Sequence, residues 1–383
     1  MKIIIKARPE DFLVTEIVSV SYSPKGAFGV YRLKKSGWNT VELIRELSRK
    51  LDLPRELFAY GGRKDRHSQS TQYITVKSSK RLELKADKYS LEFLGFMNRP
   101  MGPDLIEENK FSVTVRKLGP AEIKKCASEI GIINAIGYPN YFDDQRFGSF
   151  DSRQGFMAEK VLKAQFNGAL KIYLTSVNPE DRKEERQRKK FIFDHWKDWR
   201  SCLSRSQTVR EKEIFTFLIL KPTAFLEVLK NISREELSGQ YSSYQAYLWN
   251  EVLRRMVAPA IPGPYKIYPG KAGDYIFYTQ VNQYLENLII PTPGAKAQMN
   301  DKHSEEIYRQ VLEDNGIIHA VFNKLKLRQA FFKSSPRKAN IKPDDLSFSV
   351  SDDEIYPGKK KLVLRFSLPR GSYATMLVKR IFC

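Results

Sequence analysis

The stretch Tyr60-Gly61-Gly62-Arg63-Lys64-Asp65-Arg66-His67-Ser68-Gln69-Ser70-Thr71-Gln72, running directly into Tyr73-Ile74-Thr75-Val76, is the densest polar cluster of the 383-residue chain. Its two glycines permit a tight turn and a close approach of backbone to a ligand. Asp65 is a lone carboxylate among Arg63, Lys64 and Arg66. Neighbouring cations favour its ionised form and keep it ready as a nucleophile or a base. The same cations would hold phosphates on either side. By composition alone, a surface turn with local ion pairs fits equally well.

Outward from this cluster, both ends of the chain read as strands. Tyr89, Leu91 and Phe93 alternate with polar or smaller residues, as do Phe111, Val113 and Val115, and Leu362, Leu364, Phe366 and Leu368. Such alternation belongs to antiparallel strands with one buried face. A helix is expected just after residue 39, with Asn39 as its cap, Glu42 three residues on, and Ile44, Leu47 and Leu51 as its apolar stripe before Pro54. From about Gln154 to Lys324 helical periods dominate, as in Tyr244, Leu248 and Val252 or Ile307, Val311 and Leu312. Pro262-Gly263-Pro264 and Pro291-Thr292-Pro293-Gly294 punctuate this middle region as loops. The pattern predicts an α+β chain whose first domain, 1–160 with 325–383, is interrupted by an inserted domain, 161–324.

Lys and Arg number 65 against 44 Asp and Glu, a net charge of +21. That surplus is costly in self-repulsion unless a polyanion gains from it, and nucleic acid is the usual one. A solubilising surface, or the Lys content of a thermophile, is the plainer explanation. An anionic membrane is the rival partner, but there is no long basic amphipathic helix to serve it and no apolar run long enough to span a bilayer. The run Asp181 to Lys190, with six basic and three acidic residues, reads as a solvated helix or linker face. Cys126, Cys202 and Cys383 are scattered thiols without paired spacing. They suggest neither a disulfide framework nor a zinc ribbon, and fit a reducing cytoplasm. The four histidines are far apart, and P-loop, GxGxxG and GxSxG motifs are missing, so no metal or nucleotide cofactor is expected.

A second cluster, Pro139-Asn140-Tyr141-Phe142-Asp143-Asp144-Gln145-Arg146-Phe147-Gly148, alternates rings with amide and cationic heads. Rings can stack on an unstacked base while Asn and Arg read its edge or hold its phosphate. Two Phe and a Tyr can equally be core.

At these clusters the sequence resembles the TruD-type tRNA pseudouridine synthases, in order along most of the chain. Asp11-Phe12-Leu13-Val14-Thr15-Glu16 is similar to the family's DFxVxE segment, and Ser36-Gly37-Trp38-Asn39-Thr40 to its turn before the first helix. Gly62-Arg63-Lys64-Asp65-Arg66 with Thr71-Gln72 resembles the GxKDxxAxTxQ stretch, and Pro139 to Gly148 the PNYFGxQRFG pattern. Ser243-Tyr244-Gln245-Ala246-Tyr247-Leu248-Trp249-Asn250 resembles the helix of the inserted domain, and Leu368-Pro369-Arg370-Gly371-Ser372-Tyr373-Ala374-Thr375 the C-terminal LPxGSxAT. Two departures stand out. His67-Ser68-Gln69-Ser70 replaces a small apolar stretch, and Asp143 stands where glycine is usual, which would strain the loop at Phe142 if the glycine conformation is kept.

The resemblance implies a pseudouridine synthase core with a mixed, largely antiparallel sheet, plus an inserted α/β TRUD domain, with the RNA in the cleft between them. It implies conversion of a uridine in tRNA, uridine 13 of the D arm, without metal, redox agent or nucleotide. Asp65 would be the catalytic carboxylate, attacking the ribose C1′ or removing a ribose proton. Lys6 or a nearby cation would pair with Asp65, and Lys64 and Arg146 would contact the RNA. Asn140 and Phe142 would position and stack the flipped-out uracil, and Tyr373 would pack against the base or the aspartate. Enzymes of this kind can act on more than one RNA, and the sequence leaves oligomeric state open. A non-catalytic RNA-binding or RNA-folding protein is the alternative. A nuclease would need clustered acidic ligands or a His pair, and neither is evident.

Overall fold

The computed structural model describes residues 4–178, 181–258, 265–280 and 283–383. The chain forms two compact units, Met1–Tyr138 with Ile341–Cys383, and Pro139–Asn340. The sequence-based boundaries at 160/161 and 324/325 differ from this division at both junctions. The stretches 139–160 and 325–340 group with the second unit, where hydrogen bonds hold them. Phe142 is bracketed by Asn250, and Pro336–Lys338 pairs with Ile289–Pro291. Pro262-Gly263-Pro264, expected to be a loop, lies outside the described residues.

In the first unit both ends of the chain enter one sheet. Its order is Asp344–Asp352, Lys360–Pro369, Ile106–Leu118, Phe12–Val18, Gln69–Val76, Phe28–Ser36, Tyr89–Met97 and Leu84–Ala86. The short strands Ile4–Ile5 and Phe58–Tyr60 add to Ile106–Leu118 and Gln69–Val76. Among the described pairings of this sheet, only Phe12–Val18 with Gln69–Val76 is parallel, through Leu13 with Gln69, Val14 with Ser70 and Thr15 with Thr71. The sheet is therefore mixed and largely antiparallel, and the fold is α+β. Leu362, Leu364, Phe366 and Leu368, alternating in sequence, are all buried, and Leu364 pairs with Val113 on the long central strand.

The helix Thr40–Leu51 covers one face of this sheet. Asn39 caps it by accepting from the Glu42 N–H at 2.9 Å, while Leu43, Ile44 and Leu47 bury themselves against Leu33, Ile74 and Val76. Each of those aliphatic side chains contributes about 1.5–3 kcal/mol of transfer free energy. Gly37 makes the turn into this helix at φ +72°, a conformation that L side chains rarely adopt. Elsewhere in the unit Arg380, on the helix Ala374–Phe382, is fully buried and donates to Glu129 at 2.5 Å on the helix Pro120–Ile136.

The second unit is dominated by helices, with short antiparallel ladders Lys266–Tyr268 with Tyr275–Phe277 and Ile289–Pro291 with Pro336–Lys338. Its longest described helix, Arg234–Val257, opens with a capping box between Ser233 and Glu236 and buries Tyr244, Leu248 and Val252 completely. Lys183–Asp194 takes up most of the charged run, with Lys189 returning to Asp181 at 2.7 Å. Among the described residues no helix is long and apolar enough to cross a membrane.

Burial pushes the Cys126 thiol up to about 12 and the Cys202 thiol up to about 11, while Cys383 is partly exposed. The thiolate is the reactive form. At pH 8 an aromatic disulfide reagent should therefore titrate one thiol within minutes in the native protein and all three after denaturation. Rapid reaction of three thiols in the native protein would contradict the burial.

Candidate active site

Asp65 sits on the loop between the strand Phe58–Tyr60 and the strand Gln69–Val76. The loop main chain is clamped to the start of the helix Thr40–Leu51. The Lys64 N–H donates to Thr40 Oγ1 at 2.8 Å, and the Thr40 N–H donates to the Lys64 carbonyl at 3.3 Å. Thr40 Oγ1 in turn donates to Gln72 Oε1 at 2.9 Å. Thr40 and Gln72, from two separate motifs in sequence, thus hold one loop. On the outer side Arg66 grips Glu42, at 2.5 and 2.6 Å.

The two adjacent residues Lys64 and Asp65 point to different partners. Lys64 Nζ lies 2.9 Å from Glu16, whose side chain is fully buried, and donates to Asn109 Oδ1 at 2.6 Å. Glu16 also accepts the Tyr73 N–H at 2.9 Å. The closing Glu of Asp11-Phe12-Leu13-Val14-Thr15-Glu16 therefore anchors the Asp65 loop through Lys64. The Asp65 carboxylate is half exposed and pairs with Lys6 Nζ at 3.2 Å. Lys6 has a left-handed backbone, φ +62°, which costs an L residue roughly 1–2 kcal/mol. That turn carries its ammonium to Asp65 and over the Phe12 ring, 4.3 Å from the centroid. A strained backbone persists where surroundings over-determine it, commonly at functional sites.

Beneath the loop lies Lys35, only 2% exposed. Its Nζ donates to the main-chain carbonyls of Trp38 at 2.7 Å, Asp65 at 3.0 Å and Lys64 at 3.3 Å. Its pKa is lowered to about 8, chiefly by burial; Asp65 and Glu16 oppose that shift and the Lys64 ammonium adds to it. Asp11, from the same N-terminal motif, is 1% exposed and bound by Arg116 at 2.6 and 2.9 Å.

Gly61 is hemmed in by the protein itself. A side chain at Gly61 would fall 2.6 Å from Ile106 Cδ1 and 2.7 Å from the Gly102 carbonyl. Gly61 thus permits a close approach of the Ile106 side chain and the Gly102 carbonyl. Tyr373 is half-buried at the N-cap of the helix Ala374–Phe382.

The second cluster lies in the other unit, held on the helix Arg234–Val257. Asn250 brackets Phe142, accepting its N–H and donating to its carbonyl, both at 2.9 Å. Trp249 meets the Phe142 ring edge-on at 5.4 Å, and Gln245 donates to the carbonyls of Pro293 at 2.6 Å and Lys333 at 3.1 Å. Gln245 and Asn250 therefore act as loop fasteners. Asn140 is 4% exposed, and its amide is engaged with the Lys338 carbonyl and with Arg337 at 2.8 Å. Phe142 is 9% exposed, with the Arg337 guanidinium 4.0 Å from its ring centroid. Arg146 is exposed, 5.7 Å from the same centroid. The strain expected at Asp143 is absent, because φ −79° and ψ 163° suit any residue and its carboxylate caps the following turn.

Sequence reasoning missed Lys35 and Arg337, and quoted Glu16 and Asn250 in their motifs without giving them a role. Lys35 was detectable. It continues the inward alternation of Tyr31 and Leu33, so period two alone directs it to the core side. Arg337 had no such signal, being separated from Asn140 by most of the second unit.

A family model described as tRNA pseudouridine synthase D (TruD) matches residues 1–381. A relative from Leptospira interrogans, named tRNA pseudouridine synthase D, is 30% identical over 393 residues, covering 98% of this chain and 95% of its own. One of the same name from Aquifex aeolicus is 29% identical over 398 residues, covering 100% and 99%. The crystal structure of a Methanosarcina mazei protein assigned to tRNA pseudouridine synthase D superposes with a TM-score of 0.73 at 24% identity, covering 99% of this chain and 93% of that one. At that identity the superposition speaks for the fold. The family model and the curated relatives span nearly the whole chain, the quoted motifs included. The chain belongs to the TruD family of tRNA pseudouridine synthases, isomerases that act on RNA.

Proposed function

We propose that the protein converts uridine 13 in the D arm of tRNA to pseudouridine, with Asp65 as its catalytic carboxylate. The observation that carries this reading is the contrast on the Asp65 loop. Lys64 is turned inward to Glu16 and Asn109, Lys35 is buried beneath the main chain, and the Asp65 carboxylate alone is presented half-exposed, beside Lys6. A carboxylate paired with one ammonium, on a loop fixed at both Lys64 and Asp65, suits attack on C1′ or removal of a ribose proton. The N1–C1′ bond breaks, the uracil turns, and C5 bonds to C1′. The proton on C5 leaves to solvent and N1 takes one up, so atoms balance without any co-reactant.

Reaching C1′ requires the uridine to leave its stack, at a cost of a few kcal/mol. Contacts between cations and the flanking phosphates can supply that, and the net charge of +21 provides them. Lys64, engaged as it is, serves by fixing the loop; Arg146, exposed, is the one of the pair suited to phosphate. Within the second unit, beside Asn140, the Arg337 guanidinium covers the Phe142 ring and is itself a plane on which an unstacked base can stack. Tyr373 packs near the base. Action on tRNA, and three thiols scattered without disulfide spacing, support a cytoplasmic enzyme.

Tritium release from tRNA carrying 5-tritiated uridine tests the reaction. One tritium should be released per substrate tRNA with EDTA present, and none from tRNA in which uridine 13 is replaced by cytidine. Tight binding with background release would favour a non-catalytic RNA-binding protein. A cleavage product sensitive to EDTA would favour a nuclease.

A further inference from the structure

Lys35 has no role in the chemistry just described, yet it is an almost completely buried lysine directed at the catalytic loop. Its Nζ faces three carbonyl oxygens, of Trp38, Lys64 and Asp65, at 2.7, 3.3 and 3.0 Å. An ammonium has three N–H donors for those three acceptors, and a neutral amine has two and a lone pair. We propose that the charged form of Lys35 is the positioning residue of the active site, drawing the Lys64 and Asp65 carbonyls inward so that the Asp65 side chain is presented outward. The proposal rests on Asp65 being the catalytic carboxylate.

The geometry leaves Lys35 little alternative. It sits at the end of the strand Phe28–Ser36, paired across the sheet with Ser70 on one side and Tyr89 on the other. The charged groups facing it are Asp65 and Lys64 from the loop and Glu16 from the strand Phe12–Val18, with Tyr89 as the titratable cross-strand neighbour. Glu16 is engaged with Lys64, and the Asp65 carboxylate with Lys6, so the main-chain carbonyls are its hydrogen-bonding partners. Ser68 Oγ donates to the same Asp65 carbonyl at 3.0 Å and fixes the loop from its far side.

Burial brings the Lys35 pKa down to about 8, against 10.5 for the free side chain. Two opposite pH trends follow. Between these values the unfolded chain binds more protons than the folded one, so stability rises with pH through this window. If the charged form positions Asp65, turnover falls as pH passes 8. With that midpoint the charged fraction drops about tenfold from pH 7 to pH 9. A lysine that served only the fold would give the first trend without the second.

The test measures single-turnover rates, tRNA affinity and unfolding free energy from pH 7 to 9, for the unaltered protein, Lys35→Met and Lys35→Arg, with Asp65→Asn alongside. The unaltered protein should lose about tenfold in rate while stability rises and affinity changes little. Lys35→Met should be slow and flat with pH. Lys35→Arg, whose guanidinium stays charged, should recover part of the rate at pH 7 and lose the alkaline fall. A rate in the unaltered protein that is flat from pH 7 to 9 overturns the proposal, even if neither variant folds. So does an alkaline fall that persists unchanged in Lys35→Met. Activity retained by Asp65→Asn removes instead the catalytic reading beneath it.

Discussion

Asp65→Asn should lower the single-turnover rate by about 10⁴-fold or more while leaving the dissociation constant for tRNA within roughly threefold. The amide has the size of the carboxylate but can neither attack C1′ nor accept a ribose proton. The fold should not suffer, because the side chain is half exposed and its partner is a single lysine at 3.2 Å. Exposed pairs of this kind contribute about 0–1 kcal/mol. Affinity should rise slightly if it moves at all, since a negative charge beside phosphates is removed. Rate and binding constants measured on one preparation separate the two effects. Loss of both together would identify Asp65 as a residue of the fold rather than of the reaction.

Arg116→Met should produce the largest loss of stability. Arg116 is 2% exposed and gathers three carboxylates from two distant parts of the chain. It donates to Asp11 at 2.6 and 2.9 Å, to Asp353 at 2.9 Å and to Glu354 at 3.1 Å. Removing it strands Asp11 and Asp353, 1% and 4% exposed, without their cation. Breaking a buried pair in this way costs about 3–5 kcal/mol. At a few degrees per kcal/mol for a chain of this size, thermal unfolding of the first unit should move down by about 10 °C. Burial opposes the Asp353 charge, yet the main-chain N–H groups of Lys117 and Ile355 together with Arg116 hold its carboxyl below the usual range. A carboxylate depressed on folding stabilises above its unfolded pKa, near 4, and that contribution is lost as pH falls through the folded value. The Arg116→Met protein should therefore show a smaller loss of stability between pH 5 and 3 than its parent. A melting temperature within about 2 °C of the parent would contradict the network's role.

What could be read beforehand was what local period and capping control. The alternation at Leu362, Leu364, Phe366 and Leu368 gave a strand with one buried face, and Asn39 with Glu42 gave the start of the helix Thr40–Leu51. The motifs carried the family. What they could not carry was direction. Lys64 and Asp65 are neighbours of opposite charge in an identical local setting, and only the meeting of three chain segments turns Lys64 to Glu16 and Asn109 and leaves Asp65 outside. Arg116 reads as one more cation on a strand until Asp11 and Asp353, far away in sequence, converge on it. Asn140 and Phe142, expected to face a base directly, are already engaged by Arg337 and Asn250. Long-range polar convergence has no periodicity, so no reading of spacing reveals it. Lys35 is the exception, since its place in the alternation with Leu33 was visible throughout.

Pseudouridine mapping at single-nucleotide resolution, in tRNA from cells that lack this protein, tests the central claim most directly. The modification at uridine 13 should disappear while other pseudouridines remain, and it should return with a copy of the unaltered protein but not with Asp65→Asn expressed to the same level. Persistence of the modification in those cells, or its return with Asp65→Asn, would contradict the assignment.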